Sequence, residues 1–201
     1  MSHAARKRIS YAEYQALELE AEGKHEFESG VLTAMGGGSP HHALISANLV
    51  GELRQQLKRS DCGTYSSDHK IWVGAHDAAF YPDATVVCGG PVHPLHDALA
   101  TVNPSLVGEV LSPSTRGRDA TTKLAAYQTL RTLRHVLLVD SEEVFVMHYA
   151  RQADGGWRVT SYRSLEDIVT LDLHDGVVLA LHELYARVVF PEPEPEPEPE
   201  A

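Results

Sequence analysis

Two apolar runs in the chain each carry one acidic residue where a buried strand is expected. The run AAFYPDATVV, residues 78–87, places Asp83 directly before a β-branched stretch. The run SLVGEVLSPST, residues 105–115, sets Glu109 among aliphatic side chains. A buried carboxylate is costly unless a cation or hydrogen-bond donors compensate its charge. A fold for this chain must therefore supply both acids with a partner.

A shared cation is one such partner. If the two strands are neighbours in a sheet, both carboxylates converge at one edge, where each raises the pKa of the other. Mg²⁺ removes that repulsion, and it prefers oxygen ligands, few protein carboxylates and retained water molecules. The pair Asp83 and Glu109 therefore indicates a Mg²⁺ site, with Mn²⁺ as a substitute. The alternative for either acid alone is a structural ion pair or a surface position at a strand end.

A helix predicted after the second acidic run carries a candidate catalytic lysine. Asp119, Lys123 and Tyr127 are spaced at i, i+4 and i+8, so they share one helix face. A helix that begins just after the strand of Glu109 can direct Lys123 toward the end of that strand. An ammonium group there stabilises negative charge on a phosphate. The alternative is an ordinary ion pair between Lys123 and Asp119 on a solvated face.

Hydrophobic periodicity predicts an α/β or α+β fold with a mixed central β-sheet flanked by α-helices. The predicted element order is α-β-β-α-β-β-β-α-β-β-β, within one domain spanning residues 1–190. A capping box at Ser10 and Glu13 begins the first helix. A second helix after GGGSP carries Leu44 or Ile45, Leu49, Leu53 and Leu57 on one face, close to a period of 3.6. Further predicted elements include single strands over 64–73, 80–87, 106–111 and 135–140, a helix over 119–130, and a hairpin turning at 154–156.

The acidic charge of the chain is partly concentrated in its last residues. The formal net charge is −11, and the terminal segment 191–201 alternates Pro and Glu. Such a segment cannot form a core, so we expect a disordered, extended tail. The rest of the chain is still acidic, which disfavours a broad, non-specific binder of nucleic acid.

Two further expectations concern the cellular location of the protein and the presence of a zinc site. No run approaches the ~18–20 apolar residues of a membrane helix, and no apolar stretch follows the basic N-terminus, so we expect a cytoplasmic protein without a signal peptide. Cys62 and Cys88 are expected to be reduced thiols. Neither lies in a C-x-x-C motif, which argues against a cysteine-based zinc site. Histidines such as His93 and His96 leave a zinc site open beside their interpretation as surface loop residues.

Several stretches of the sequence resemble those of a known family. The stretches YPDATVV and GEVLSPSTRGRDATTKLAAY resemble the signature of the Uma family of endonucleases, which is common in cyanobacteria and other bacteria and belongs to the PD-(D/E)XK nuclease superfamily. The stretches KHEFESGVLTAMGGGSPHHALISANL, YSSD and LHELY agree with it in order, so the resemblance covers nearly all of residues 9–189. The resemblance implies a restriction-endonuclease-like core.

The resemblance also implies roles for single residues. Asp83 matches the first-motif aspartate and Glu109 the second acid, and both are implied metal ligands. Glu26 matches an N-terminal acid that completes the metal site. The superfamily pattern places a lysine two residues after the second acid, but Leu111 stands there. In this family the lysine is implied to have moved to the following helix, where Lys123 matches it.

Further residues are candidates for contact with substrate. His42 matches a family histidine near the site, with a structural role at a helix N-terminus as the alternative. Arg116 and Arg118 flank the loop beside Glu109, where a DNA backbone would pass. The complete set of candidate substrate contacts is His42, Arg116, Arg118 and Tyr127. Arg131 and Arg134 extend a basic rim, for which a solvated helix end is the alternative.

The function that follows is Mg²⁺-dependent endonucleolytic hydrolysis of nucleic acid, with DNA as the favoured substrate. Glu26, Asp83 and Glu109 would hold the metal, while Lys123 would orient the attacking water or counter charge in the transition state. The alternative is a catalytically silent nuclease fold that serves as a binding or scaffold module. A homodimer is also open, since nucleases that cut both strands often pair.

Overall fold

The computed structural model describes residues 8–190, and the predicted Pro/Glu tail, residues 191–201, lies outside the described residues. The fold is a mixed α+β arrangement, as the sequence predicts. Its helices are α1 Tyr11–Glu20, α2 Pro40–Leu57, α3 Arg116–Arg118, α4 Leu124–Gln128 and α5 Leu181–Leu184. Its strands are β1 His25–Glu28, β2 Val31–Ala34, β3 Cys62–Ser66, β4 Lys70–Val73, β5 Ala78–Phe80, β6 Ala84–Cys88, β7 Ala100–Thr101, β8 Leu106–Leu111, β9 His135–Asp140, β10 Val146–Arg151, β11 Trp157–Tyr162, β12 Ile168–Leu171 and β13 Val177–Ala180.

The strands form two large sheets and one small one. The first sheet has the order β2-β1-β5-β4-β7, the second β11-β10-β9-β8-β6-β3, and the third pairs β12 with β13. In the second sheet β8 and β9 are parallel, whereas β6 and β8 are antiparallel. The second sheet is thus mixed, as predicted, but the core is shared between sheets and is not built on one central sheet.

Two predicted strands are each divided between the two large sheets. The expected strand 64–73 turns after Ser66 and continues as β4 in the other sheet. The expected strand 80–87 breaks at Pro82, which has no N–H for a strand ladder, so β5 and β6 lie in different sheets. The second break leaves Asp83 at the point where the chain crosses from one sheet to the other.

Helix α1 begins as predicted. The Ser10 hydroxyl accepts a hydrogen bond from the Glu13 backbone N–H at 3.2 Å, and the Glu13 carboxylate accepts one from the Ser10 N–H at 2.7 Å. These two bonds form the capping box that the sequence indicates. Tyr14 is buried on this helix and stacks on Phe27 of β1. The contact holds α1 against the first sheet.

Helix α2 packs on the second sheet through the predicted aliphatic face. That face comprises the fully buried Ile45, Leu49, Leu53 and Leu57. Gly108 of β8 allows this close approach, because a Cβ atom there would lie 2.8 Å from Leu49 Cδ2. The helix therefore presses against β8 one residue before Glu109.

The predicted helix 119–130 begins earlier, at Arg116, ends earlier, at Gln128, and contains a π-helical turn. Helix α3 leads directly into the π-helical turn Asp119–Lys123, which continues into α4. Leu124 and Tyr127 pack on the second sheet from the side opposite α2. A π turn shifts the register of the residues around it relative to a regular α-helix, so it determines which face Lys123 occupies.

The prediction of reduced cysteines is wrong in the structure. Cys62 of β3 and Cys88 of β6 form a disulfide. The two residues are directly opposite each other in the antiparallel β3–β6 ladder, with Cα atoms 3.9 Å apart. The two cysteines are 26 residues apart in the sequence, and only the register of β3 and β6 brings them together. The sequence alone therefore did not indicate the disulfide.

Among the described residues, every helix is too short or too polar to cross a lipid bilayer.

A buried histidine pair in the second sheet gives a prediction about acid stability. His135 Nδ1 lies 3.0 Å from His148 Nε2. Burial, together with the charges of His135 and Arg158, lowers the pKa of His148 from 6.5 to about 4. The unfolded chain, with the ordinary value, takes up a proton first. The stability contributed by neutral His148 is therefore complete above about pH 6.5 and is lost as the pH falls toward 4.

We expect His148→Gln to reduce the loss of stability on acidification, by on the order of 2–3 kcal/mol between neutral pH and about pH 4. Urea unfolding at several pH values in this interval gives the free energy of unfolding of wild type and variant. The carboxylates titrate in both proteins, so their contribution cancels in the difference between the two. His182→Gln is the matched control, because the His182 side chain is 60% exposed. Identical pH slopes for wild type and His148→Gln would contradict the prediction.

Candidate active site

An open cleft of about 730 Å³ lies where the two large sheets meet. All four residues predicted to carry chemistry line it: Glu26, Asp83, Glu109 and Lys123. They come from β1, the crossing before β6, β8 and the π-helical turn. The antiparallel register explains how two of them meet. Ala84 pairs with Gly108, so the next pair in the same register would be Asp83 and Glu109.

Lys123 is the central cation of the cleft. Its Nζ lies 2.7 Å from Glu109 Oε1, 3.0 Å from Glu26 Oε1 and 3.2 Å from Asp119 Oδ1. The side chain is 5% exposed, so these carboxylates compensate a buried positive charge. Burial alone would lower the pKa of Lys123, but the carboxylates raise it above its ordinary value. Lys123 is therefore charged at any pH at which the protein would function.

Glu26 holds a second cation beside the first. Arg118 donates to Glu26 Oε2, and its Nη2 lies 3.4 Å from Glu28 Oε2. Burial opposes ionisation of Glu26, but the charges of Lys123 and Arg118 outweigh it and lower the pKa of the carboxyl. The ring of Phe80 lies beneath both cations, 5.7 Å from Lys123 Nζ and 5.5 Å from Arg118 Cζ.

Glu109 is the most strongly perturbed acid of the cleft. Burial raises its pKa to about 8; the charge of Lys123 opposes this shift, and the nearby Asp119, Asp83 and Glu26 add to it. The Tyr127 hydroxyl donates to Glu109 Oε1 at 2.6 Å. Glu109 is thus fixed in position by two donors, while several like charges oppose its ionisation. A further positive charge in the cleft would favour its carboxylate form.

Asp83 is held by the neighbouring strand. Its Oδ2 accepts a hydrogen bond from the Val110 backbone N–H at 2.8 Å. His42 Nε2 lies 3.4 Å from the same oxygen, and this interaction raises the pKa of the imidazole. His42 sits in the first turn of α2, after the Ser39 N-cap. The structure therefore brings His42 to the cleft beside Asp83, as the resemblance implied.

The donor atoms of the cleft suit a hard divalent cation. Within residues 8–190, no three acidic side chains of the cleft bring ligand oxygens within 4.8 Å of one another. A cation held by one or two of these carboxylates would complete its coordination with water. The raised pKa of Glu109 supports this fit, because a further cation beside Lys123 and Arg118 would relieve the repulsion among the acids.

The other candidate substrate contacts are dispersed. Tyr127 is fully buried, so its hydroxyl lies beneath Glu109 and does not face the open cleft. Arg116 pairs with the buried Asp140 at 2.7 Å. Arg134 pairs with Asp172 at a different surface cleft, and Arg131 is exposed. Of the predicted basic rim, only Arg118 lines the cleft.

Sequence reasoning missed the place of Asp119 in the cleft. The i, i+4 spacing predicted its ion pair with Lys123, but only as an alternative on a solvated face. In the structure the pair is buried, and it coexists with the contact between Lys123 and Glu109. The i, i+4 spacing indicated the ion pair between Asp119 and Lys123. It could not indicate that the pair is buried, because burial depends on how the π-helical turn packs against the sheets.

Comparison with known proteins places this geometry in a family context. Residues 11–182 match the family described as "Uma2: Putative restriction endonuclease". Two relatives come from Synechocystis sp. "Uncharacterized protein sll1609" is 32% identical over 157 residues, which are 78% of this chain and 89% of the relative. "Uncharacterized protein slr1290" is 32% identical over 186 residues, which are 91% and 94% of the two chains.

A solved structure supports the fold. It is described as "a putative nuclease belonging to DUF820 from Anabaena variabilis ATCC 29413" and matches with a TM-score of 0.69 at 19% identity. The match covers 88% of this chain and 97% of that one. At this identity the likeness shows the fold alone, and it confirms the predicted restriction-endonuclease-like class.

The environment of Lys123 gives a prediction about folding. We expect Lys123→Met to destabilise the protein by about 3–5 kcal/mol, because it leaves buried carboxylates without their shared cation. Urea unfolding near neutral pH measures the change in the free energy of unfolding. Lys58→Met is the matched control, since Lys58 is exposed at the end of α2, and it should change stability by less than about 0.5 kcal/mol. Equal stability of the two variants would refute the central role of Lys123.

Proposed function

The chain belongs to the Uma2 family, and on that premise we propose that it is a Mg²⁺-dependent endonuclease that hydrolyses phosphodiester bonds of DNA. One observation carries the proposal: a single open cleft is lined by Glu26, Asp83, Glu109 and Lys123, and the buried ammonium group of Lys123 contacts both Glu26 and Glu109. A set of acids beside a fixed cation is the combination that phosphoryl hydrolysis needs. Mn²⁺ would substitute for Mg²⁺ at the same oxygens.

Asp83 and Glu109 are the proposed metal-holding residues. When bound, the metal would polarise the scissile phosphate and lower the pKa of a bound water. Asp83 is suited to this role because the Val110 N–H and His42 fix its carboxylate at the cleft. Glu26 would complete the site through water, since both of its oxygens already face Lys123 or Arg118.

Lys123 is the proposed catalytic cation. Its ammonium group is held between Glu109 and Glu26 at 2.7 and 3.0 Å, so it need not reorganise as charge develops in the transition state. A preorganised charge in a water-poor site stabilises a transition state more than a mobile one does. Lys123 would orient the attacking water or counter the charge on the phosphate. Tyr127 is a positioning residue in this scheme, because it acts through Glu109.

Substrate would enter over the loop that follows β8. Ser112, Ser114 and Thr115 of this loop line the cleft together with Arg118. Hydroxyl and guanidinium groups are the side chains that contact phosphates in protein–DNA complexes. We propose that this loop and Arg118 contact the DNA backbone, with Arg116 steadying the loop from its pair with Asp140.

The proposal includes two further points that extend beyond the cleft. A homodimer would provide a second cleft for the second strand of a duplex. A cytoplasmic location would give access to DNA and stays a prediction. The disulfide between Cys62 and Cys88 does not favour it, because disulfides are rare in cytosolic proteins.

Substitution of the metal-holding acids tests the site directly. We expect Asp83→Ala and Glu109→Ala each to abolish Mg²⁺- and Mn²⁺-dependent cleavage of plasmid DNA, because each removes a metal-holding oxygen. Titration calorimetry should show metal binding in the wild type and none in the double variant. Glu166→Ala, which alters an exposed carboxylate away from the cleft, is the matched control.

Three outcomes would separate the alternatives. Full cleavage by Asp83→Ala or Glu109→Ala would refute the assigned site. Failure of the wild type to bind either ion, with or without DNA, would favour the silent binding or scaffold module. Cleavage of RNA but not of DNA would overturn the substrate assignment while leaving the site intact.

Lys123→Arg tests the role of the catalytic cation separately. The variant keeps a positive charge, but a planar guanidinium cannot replace a point charge held among carboxylates. We expect kcat to fall by about tenfold or more while metal affinity changes little. Single-turnover cleavage and metal titration measure the two effects. A loss of metal affinity with unchanged turnover at saturating metal would show that Lys123 acts on the metal site instead.

A further inference from the structure

The edge of the second sheet carries a second group of potential metal ligands, far from the cleft. Asp61 directly precedes β3, Cys62 begins it, and Cys88 ends the neighbouring β6. One ligand atom from each of the three lies within 4.8 Å of the other two, and no other such group occurs within residues 8–190. The catalytic cleft is at the opposite end of β6, roughly 16 Å away at the usual rise of a strand.

The ladder between β3 and β6 holds these ligands in place. Cys62 pairs with Cys88, and the pairing continues through Gly63 and Val87. The backbone carbonyl of Asp61 accepts a hydrogen bond from the Gly89 N–H at 3.1 Å, which fixes the turn before β3. The backbone positions of all three ligands are therefore set by the sheet, so a metal would bind with little ordering cost.

The burial of the three residues suits a site with one open side. Cys62 is 9% exposed and belongs to the core beneath α2, while Cys88 is half-buried and Asp61 is exposed. The sulfur atoms thus face a poorly solvated side and the carboxylate faces water. A metal could enter from the side of Asp61 and keep a water molecule in its fourth position.

In the structure the two sulfurs are joined as a disulfide, and a disulfide is a poor ligand. Two-electron reduction breaks the S–S bond and gives two thiols. With a trialkylphosphine as the reductant, phosphorus is oxidised to the phosphine oxide with oxygen from water, and each sulfur gains one proton. On binding a metal, the thiols release both protons to solvent. The resulting thiolates select soft or borderline ions, in contrast to the all-oxygen cleft.

We propose that the chain, once its disulfide has been reduced, binds one Zn²⁺ or Cd²⁺ ion through Cys62, Cys88 and Asp61. The disulfide and the metal-bound state are mutually exclusive because they use the same sulfur atoms. The site is independent of the nuclease proposal, since it shares no residue with the cleft.

The test uses Cd²⁺ as the probe, because cadmium thiolates absorb in the ultraviolet through sulfur-to-metal charge transfer. We expect the charge-transfer absorbance of the phosphine-reduced wild type to rise with added Cd²⁺ and to saturate at one ion per chain. The oxidised protein should show no such absorbance. Cys88→Ser should lose the band. Asp61→Asn should weaken Cd²⁺ binding by roughly tenfold or more. Substitution of a residue that only hydrogen-bonds to a metal ligand already lowers metal affinity by about that factor, and Asp61 is a proposed direct ligand.

Two controls make the outcomes decisive. Asp154→Asn alters another exposed aspartate, and it keeps the oxygen that accepts from the Gly156 N–H, so it should bind Cd²⁺ as the wild type does. Asp83→Ala should retain the band, because the catalytic cleft is not involved. If Cys88→Ser fails to fold, Asp61→Asn carries the test, since Asp61 is exposed.

A second measurement follows the thiols directly. Zn²⁺ should slow the alkylation of Cys62 and Cys88 in the reduced wild type, and it should do so less in Asp61→Asn. The proposal is overturned if reduced wild type shows no charge-transfer band, if Zn²⁺ gives no protection, or if Asp61→Asn binds Cd²⁺ as tightly as the wild type.

Discussion

The ion pairs of Lys123 are the interaction on which the rest of the cleft depends. Three carboxylates, from β1, β8 and the π-helical turn, meet a single buried ammonium group. Each of these acids alone would be expensive to bury, and together they would repel one another. Lys123, together with Arg118, makes the group stable, and the acids of the cleft still outnumber these two cations, which favours a further cation. Stability and proposed catalysis thus have the same electrostatic origin.

The path of the chain places the fourth acid beside this group. Pro82 interrupts the ladder, so the chain leaves the first sheet and enters the second at Asp83. The antiparallel register with β8 then brings Asp83 opposite Glu109, and the Val110 N–H fixes its carboxylate. Asp83 therefore lies where the chain crosses between the two sheets. Glu109 lies within β8, just beyond the last residue that pairs with β6.

The sequence predicted those features that depend on local chemistry. The capping box of α1, the aliphatic face of α2 and the hairpin of β10 and β11 follow from spacing and turn residues. The acids of the cleft could be named because they interrupt apolar runs and match a family pattern. Strand register and sheet exchange could not be predicted, because they depend on contacts between distant segments. The disulfide between Cys62 and Cys88 and the division of the expected strand 64–73 were missed for that reason.

The cleft draws its parts from segments far apart in the chain, and this has a consequence for biosynthesis. Arg118 and Glu26, which touch in the finished cleft, are separated by 92 residues. The parallel pairing of β8 with β9 requires still later residues, up to Asp140. Such long-range contacts form late in folding. A partly synthesised chain whose residues up to Asp140 have not yet emerged from the ribosome therefore lacks an assembled cleft, and until then a nuclease built in this way would stay inert toward the nucleic acids around it.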